Sequence, residues 1–188
     1  MSKIRLADLV VVTSNQGKLL EINQILGTNH KVSKIDIPEI QSLDIDEVIS
    51  AKAESAYAKI KKPVLVTDVS LEIDGLNGLP GPFVKFFLKT LGEEKTVKLI
   101  KGSKRTKVTD AIGIYDGQTM KIFKGSVRGK VVPKKRGKNG FGFDFVFIPD
   151  GYDKTYSQMS STLKNKISHR ALALKKVKKY LNIQNSNK

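Results

Sequence analysis

The chain has 188 residues, of which 39% are hydrophobic and 28% are charged, as is typical of soluble globular proteins and not of disordered or fibrous ones. It has no cysteine, which excludes disulfides and cysteine-based metal or nucleophilic sites. Lys and Arg number 34 against 18 Asp and Glu, a formal net charge of +16. Such a charge suits nucleic acid, a membrane surface or a phosphorylated small molecule, or a basic surface that only confers solubility.

No apolar run approaches the length of a membrane span, and the apolar stretch near the N-terminus is too short for a signal peptide. We therefore expect a cytoplasmic protein that does not engage a membrane. The length suits one domain with a sizeable buried core. We expect residues 1–182 to form this domain and residues 183–188 to be a loose tail.

The first part of the chain is predicted from its hydrophobic periodicity to alternate strands with helices. The predicted elements are a strand over Leu9–Thr13, a helix that ends at Gly27, a strand over Val32–Ile35, a helix over Glu47–Ile60 and a short buried strand over Val64–Val66. Asp68 is expected at the exit of this last strand.

The second part of the chain begins with a loop at 75–82, rich in glycine and proline. The elements predicted after it are helices over Phe83–Leu91 and Glu93–Ile100, strands over Val108–Tyr115 and Met120–Val132 joined by an Asp116-Gly117 turn, a basic loop over 134–142, a strand over Phe143–Ile148, and a helix that Ser168 caps and that reaches Leu181. This alternation predicts a single α/β domain with a mixed sheet.

The segment TSNQGK carries small polar residues and a lysine between the first strand and the first helix. Backbone N–H groups and the partial positive charge of a helix N-terminus would meet there, as in sites that hold anions. Thr13, Ser14, Asn15 and Lys18 are therefore candidate phosphate ligands. The alternative is that Ser14 or Asn15 only caps the helix.

Two acidic residues are candidates for a metal site. Asp68 follows a buried strand, where ligands of open α/β sheets gather, and Glu39 lies in an acidic region. Magnesium takes one or two protein carboxylates and leaves its other positions to water and phosphate. Asp68 could instead be a turn residue, and Glu39 part of a solvated face.

Aromatic and basic residues near the C-terminus could bind a purine base. The segment GFGFDF places Phe141 and Phe143 beside glycines, where an aromatic face could stack a base or pack in the core. The segment KISHR brings His169 and Arg170 to the start of a helix. A lone histidine there could equally be a hydrogen-bonded structural residue.

Four blocks together resemble the inosine triphosphate pyrophosphatase family, whose members hydrolyse non-canonical purine nucleoside triphosphates. The blocks occur in the family's order along nearly the whole chain: TSNQGKLLEINQIL, VLVTDVSLEIDGLNGLPGPFVKFF, GFGFDFVFIPDGYDKTYSQM and KNKISHRALAL. They are similar to its T-G-N-x-x-K-x-x-E opening, its strand with an acidic turn and an LNGxPG loop, its G-F-G-[YW]-D block and its K-x-x-[IV]-S-H-R signature.

The resemblance implies a long central mixed sheet flanked by helices, in two lobes with a cleft between them, and a homodimer. It also implies magnesium-dependent hydrolysis of ITP, dITP and XTP to the monophosphate and pyrophosphate, with manganese able to replace magnesium. The roles it implies are Thr13, Ser14, Asn15 and Lys18 for phosphate, Glu39 and Asp68 for the metal, Lys52, Lys85 and Lys164 for substrate, Phe141, Gly142, Phe143 and Asp144 for the base, and Ser168, His169 and Arg170 for reading the base.

Within that resemblance, Asp68 and Lys18 are the expected catalytic residues. Asp68 would hold magnesium and orient or deprotonate the attacking water. Lys18, Lys52 and Lys164 would stabilise the negative charge that grows on the leaving pyrophosphate. Donors at His169 and Arg170 would accept a 6-oxo purine and leave buried groups unpaired with adenine.

The chain departs from the family pattern at three positions. Thr67 and Val69 flank Asp68 where the family has Glu and then Ser or Thr, and Ser14 replaces the glycine of T-G-N. The loss of a carboxylate and a hydroxyl predicts slower turnover or an altered substrate preference. An alternative is a nucleic-acid-binding or nucleotide-sensing protein on the same fold with little turnover. Weak electrostatic nucleic-acid binding could also accompany hydrolysis.

Overall fold

The computed structural model describes residues 4–31 and 35–181. The strand predicted over Val32–Ile35 lies outside the described residues except for Ile35, which is not in a strand. The tail predicted at 183–188 also lies outside them.

Among the described residues, two helices lie between the first and second strands, one helix follows the third strand, and two helices follow the last strand. The strands are β1 (Val10–Val12), β2 (Val64–Ile73), β3 (Pro80–Gly81), β4 (Arg105–Tyr115), β5 (Met120–Val131) and β6 (Phe147–Pro149). The helices are α1 (Gln16–Leu26), α2 (Ile45–Ile60), α3 (Val84–Lys98), α4 (Ser161–Ile167) and α5 (His169–Tyr180).

One mixed sheet unites the strands in the order β1-β2-β4-β5-β6, with β3 paired to the far end of β2. β1 and β2 are parallel, as expected when a helix connects them, whereas the other pairs are antiparallel. The predicted α/β fold with a central mixed sheet is therefore confirmed. The division into two lobes stays a prediction.

Strand β2 corrects the predicted position of Asp68. The sequence predicted a short strand that ends at Val66, but β2 continues to Ile73 because β4 pairs with all ten of its residues. Asp68 therefore lies inside β2, opposite Ala111, and not at its exit. Polar residues continue the strand because its backbone groups are bonded to β4, whatever the side chains are.

Two further predictions changed in detail. The helices predicted on either side of Gly92 form α3, and Gly92 marks a kink within it with φ 72° and ψ 172°. The strand predicted over Phe143–Ile148 is wrong in its first half, since Gly142–Phe145 form a short 3-10 helix before β6. The Asp144 carboxylate accepts a hydrogen bond from the Phe141 N–H and closes this turn.

Three apolar clusters cover the sheet. Helix α2 packs on one face, where Val64 and Val66 of β2 meet Ala53. On the opposite face, α1 and α5 cover Leu65 near the start of β2, and a separate cluster surrounds Leu71 near its end. Among the described residues no helix is long and apolar enough to cross a membrane.

Candidate active site

A cavity of about 860 Å³ opens beside the end of β1 and the middle of β2. All the candidate site residues except Lys164 and Ser168 line it. The lining candidates are Thr13, Ser14, Asn15, Lys18, Glu39, Lys52, Asp68, Lys85, Phe141, Gly142, Phe143, Asp144, His169 and Arg170. The fold thus brings residues from widely separated segments to one concave surface.

The turn after β1 forms the first wall of the cavity. Because β1 pairs in parallel with β2, with Val12 opposite Val66, the residues after Val12 lie beside Asp68. Asn15 caps α1, since its side chain accepts a hydrogen bond from the Lys18 N–H at 2.9 Å. The capping alternative therefore holds for Asn15, while this helix N-terminus still faces the cavity.

Ser14 replaces glycine without backbone strain. Among the described residues, the non-glycine positions with positive φ are Lys61 and Asn77, so Ser14 has an ordinary conformation. Its side chain is exposed beside the cavity.

Acidic and basic side chains form a set of ion pairs at the floor of the cavity. The Asp68 carboxylate lies 3.5 Å from Lys18 Nζ and 3.6 Å from Lys52 Nζ. Lys52 also contacts Glu39 at 2.8 Å, and Lys85 contacts the other Glu39 oxygen at 3.1 Å. Three lysines thus converge on two carboxylates, which matches the chemistry needed to hold a polyphosphate with its counter-ion.

Neighbouring charges keep the two carboxylates ionised. Burial alone would raise the pKa of Asp68, but the charges of Lys18 and Lys52 outweigh it and lower that pKa. The pKa of Glu39 is likewise lowered, because the hydrogen bond and charge of Lys52 outweigh burial. Burial lowers the pKa of Lys18, whereas the acids around Lys52 raise its pKa despite burial.

Glu39 and Asp68 offer carboxylate oxygens, the ligand type that magnesium prefers in proteins. Both carboxylates are ionised and contact the same lysine, Lys52, whose positive charge stands between them. No group of three acidic or histidine residues suited to a metal occurs in the described segments 4–31 and 35–181. Magnesium needs only one or two protein carboxylates when phosphate and water supply the rest.

Aromatic residues form one wall of the cavity, and the Phe141 ring packs directly on Gly17. The ring of Phe141 packs so closely on Gly17 that a Cβ there would lie 2.4 Å from a ring carbon. Phe143 is buried in the core and packs edge-on against Phe147. Of the two predicted alternatives, core packing therefore describes Phe143, and Phe141 is the more exposed ring.

A buried ionic network lies behind this wall. Lys164 pairs with Glu21 at 2.7 Å and with Asp144, and its ammonium lies 5.0 Å from the Phe141 ring centroid. Arg170 pairs with Glu21 and, at 3.0 Å, with Asp110. Lys164 therefore supports the wall from behind.

Sequence reasoning missed Glu21 and Asp110. Asp110 is fully buried in β4, directly before the apolar run 111–114, and an acid beside such a run was the available signal, since buried charges must be paired. Glu21 is the glutamate that ends the T-G-N-x-x-K-x-x-E block, and that position was the available signal, although no role was assigned to it. Ser168 is buried as the cap of α5, where its hydroxyl accepts from the Ala171 N–H at 3.2 Å.

His169 is neutral in the folded protein. Its side chain is buried, and burial together with the positive charges of Arg170, Lys164 and Lys18 holds its pKa well below 6.5. A neutral imidazole can donate one hydrogen bond and accept another, which suits recognition of a base.

We expect the stability of the protein to fall as the pH drops below 6.5, the ordinary pKa of histidine. Because the folded-state pKa of His169 is lowered, the unfolded state takes up the proton first, and each pH unit removes up to about 1.4 kcal/mol until the folded pKa is reached. Urea unfolding between about pH 7.5 and pH 5.5 measures this slope. His169→Gln should reduce this dependence of the free energy of unfolding on pH. His30→Gln, which replaces a less buried histidine, should retain most of the dependence.

A sequence model of the Ham1 family matches residues 9–180, nearly the whole chain. The chain belongs to the Ham1 family. The resemblance identified from the four sequence blocks is therefore confirmed, since relatives in this family carry the name inosine triphosphate pyrophosphatase.

Relatives of this Ham1-family chain match it over almost their full length. The inosine triphosphate pyrophosphatase of Yarrowia lipolytica is 42% identical over 180 residues, which cover 92% of this chain and 95% of the relative. The dITP/XTP pyrophosphatase of Thermococcus kodakarensis is 36% identical over 178 residues, with 92% and 96% covered. The Saccharomyces cerevisiae inosine triphosphate pyrophosphatase is 38% identical over 189 residues, with 93% and 95% covered.

Solved Ham1 structures have the same fold. The Staphylococcus aureus Ham1 protein is 28% identical, with a TM-score of 0.71 and coverage of 93% of this chain and 98% of that chain. A HAM1 protein from Coxiella burnetii has a TM-score of 0.78 at 24% identity, with 94% and 98% covered, and supports the fold alone.

Proposed function

We propose that this protein hydrolyses non-canonical purine nucleoside triphosphates, namely ITP, dITP and XTP, to the monophosphate and pyrophosphate, and so keeps these nucleotides out of nucleic acids. The observation that carries the proposal is that one cavity joins a cluster of lysines and carboxylates to an aromatic and arginine wall. The cluster of lysines and carboxylates suits a triphosphate, and the aromatic and arginine wall suits a purine base. The names of the relatives agree with this reaction.

The phosphate end would bind the triphosphate through Lys18, Lys52 and Lys85, together with the backbone N–H groups at the start of α1. These lysines now contact Asp68 and Glu39, so substrate phosphates would share them with the carboxylates. The reaction breaks the bond between the α-phosphorus and its bridging oxygen, and pyrophosphate leaves with that oxygen. Positive side chains already in place stabilise the growing charge without having to reorganise.

Asp68 would position the attacking water. Its carboxylate is ionised and is fixed by Lys18, Lys52 and the Val69 N–H at 2.8 Å. An ionised carboxylate accepts a hydrogen bond from water and directs the oxygen lone pair toward phosphorus. We further propose that Glu39 and Asp68 hold magnesium, which would supply additional positive charge to the triphosphate when bound. Manganese is an expected substitute.

Selection of the base would follow from hydrogen-bond donors. The Arg170 guanidinium can only donate, and it lines the cavity within 5.9 Å of the Phe141 ring centroid. Hypoxanthine and xanthine present an oxygen at position 6, which accepts such donors. Adenine presents an amino group there, so donor would face donor, and discrimination by unpaired buried groups can reach several orders of magnitude.

Three further predictions concern the assembly of the protein, its location and its binding to nucleic acid. A homodimer, a cytoplasmic location and weak salt-sensitive contact with nucleic acid are retained as proposals from the family resemblance and the net charge of +16. Light scattering on the purified protein would measure the mass of the dimer. The alternative of a protein with little turnover is not favoured, because the relatives are named as pyrophosphatases.

The proposed function is tested by a substrate panel. Purified protein with magnesium is given ITP, XTP, dUTP, GTP and ATP, and release of pyrophosphate is measured for each. We expect rapid release from ITP and XTP and little from ATP. A protein that forms no inosine monophosphate from ITP, or that prefers ATP, would contradict the proposal.

A further inference from the structure

Asp110 is a buried acid that no sequence motif singles out. It lies in β4 with no exposed surface, and its carboxylate has two side-chain partners. One carboxylate oxygen accepts a hydrogen bond from the Thr67 hydroxyl, and the other lies 3.0 Å from Arg170 Nε. Both partners line the cavity, whereas Asp110 itself does not. Thr67 and Arg170 are therefore the contacts through which Asp110 reaches the cavity wall, while its charge also acts at longer range on Lys18.

The sheet register explains how these side chains meet. Thr67 of β2 is opposite Ile112 of β4, and Val69 is opposite Asp110. Thr67 and Asp110 are therefore diagonal neighbours on one face of the sheet, within reach of each other. Thr67 directly precedes Asp68, so the hydrogen bond joins β4 to the strand that carries the proposed catalytic acid.

Arg170 is held by acids from two different elements. Glu21 of α1 engages Nη1, and Asp110 of β4 engages Nε. A planar guanidinium fixed at two different nitrogens has a defined orientation, unlike one that is held at a single point. The two acids thus restrict the orientation of the Arg170 guanidinium at the cavity wall.

We propose that Asp110 is a positioning residue for base selection: it fixes the guanidinium of Arg170 and, through Thr67, ties that guanidinium to the strand that bears Asp68. The inference rests on the proposed function, because it concerns how the same site selects its substrate. Asp110 itself would touch neither the base nor the phosphates.

The test replaces Asp110 with Asn, which keeps the shape and removes the charge that holds Arg170. We expect kcat/KM for ITP to fall about tenfold, because Arg170 loses the charged partner of its Nε, while kcat/KM for ATP changes little. The ratio of the two values should therefore fall by about the same factor. A merely structural role would lower both values together through the folded fraction and leave the ratio unchanged.

Two other variants control the test. Thr109 is on the same strand as Asp110 but outside the cavity, and its buried hydroxyl lies 2.9 Å from Ser126 Oγ of β5. Thr109→Val removes that hydroxyl and should leave the ratio unchanged. Thr67→Val removes the donor to Asp110 and should shift the ratio in the same direction, by about threefold. It keeps the proposal testable if Asp110→Asn fails to fold.

A binding measurement separates this proposal from the proposed function. The rise in melting temperature with ITP and with ATP is measured for wild type and for each variant, without need of turnover. If wild type binds ITP in preference to ATP but does not hydrolyse it, the proposed function fails, and loss of that preference in Asp110→Asn still supports the positioning role. The positioning role is overturned if folded Asp110→Asn or Thr67→Val keeps the wild-type ITP preference. It is also overturned if wild type shows no preference.

Discussion

Asp68→Asn is expected to reduce hydrolysis of ITP by at least about a hundredfold, the usual scale for loss of a group that directs proton transfer in the transition state. The substitution removes the negative charge that contacts Lys18 and Lys52 and that is proposed to share magnesium with Glu39. The measurement is steady-state release of pyrophosphate under saturating magnesium. Circular dichroism verifies that the variant is folded.

Glu72→Gln is the matched control for Asp68→Asn. Glu72 lies on the same strand and the same face as Asp68 and also pairs with a lysine, Lys107, at 2.8 Å, but it is outside the cavity. Its replacement should leave kcat within about twofold, since this half-buried pair does not line the cavity. Retention of more than about a tenth of the wild-type rate by Asp68→Asn would mean that another group directs the water.

Glu21→Ala is expected to give the largest loss of stability. Removal of this acid deprives two buried cations, Lys164 and Arg170, of a shared partner. Breaking a buried pair costs about 3 to 5 kcal/mol, and we expect about 3 kcal/mol here because Asp144 and Asp110 still pair with the two cations. For a domain of this size the melting temperature should fall by about 6 to 12 °C.

The control for this loss is an exposed helical glutamate. Glu54 of α2 is exposed, and Glu54→Ala should change the free energy of unfolding by no more than about 0.5 kcal/mol. Urea denaturation of both variants at neutral pH supplies the comparison. If Glu21→Ala were as stable as Glu54→Ala, the buried network would not be a stabilising feature of this fold.

The departures from the family pattern around Asp68 have distinct structural outcomes. Val69 packs in the apolar cluster around Leu71, and its backbone N–H donates to Asp68. Thr67 donates to Asp110, an acid on the neighbouring strand. A carboxylate thus lies close to the position where the sequence had predicted one to be missing, although it faces Arg170. The expectation of slower turnover stays a prediction, and the substrate panel measures it.

Local signals in the sequence were sufficient where the interactions are local. The helix that ends at Gly27 was predicted correctly, because αL glycine ends a helix whatever it packs against. The hairpin between β4 and β5 was predicted for the same reason, from its Asp-Gly turn. The family motifs placed most of the candidate residues on one cavity, because each motif carries its own turn or helix start.

The sequence by itself determined the α/β class, the family and the segments that supply the site. Only the tertiary structure decided where β2 ends, since its length depends on pairing with a strand about forty residues away in the chain. The same holds for Glu21 and Asp110, whose carboxylates acquire partners only when α1, β4 and α5 pack together. A carboxylate in a sequence has no defined partner, and folding supplies one because a charge removed from water must be compensated by another.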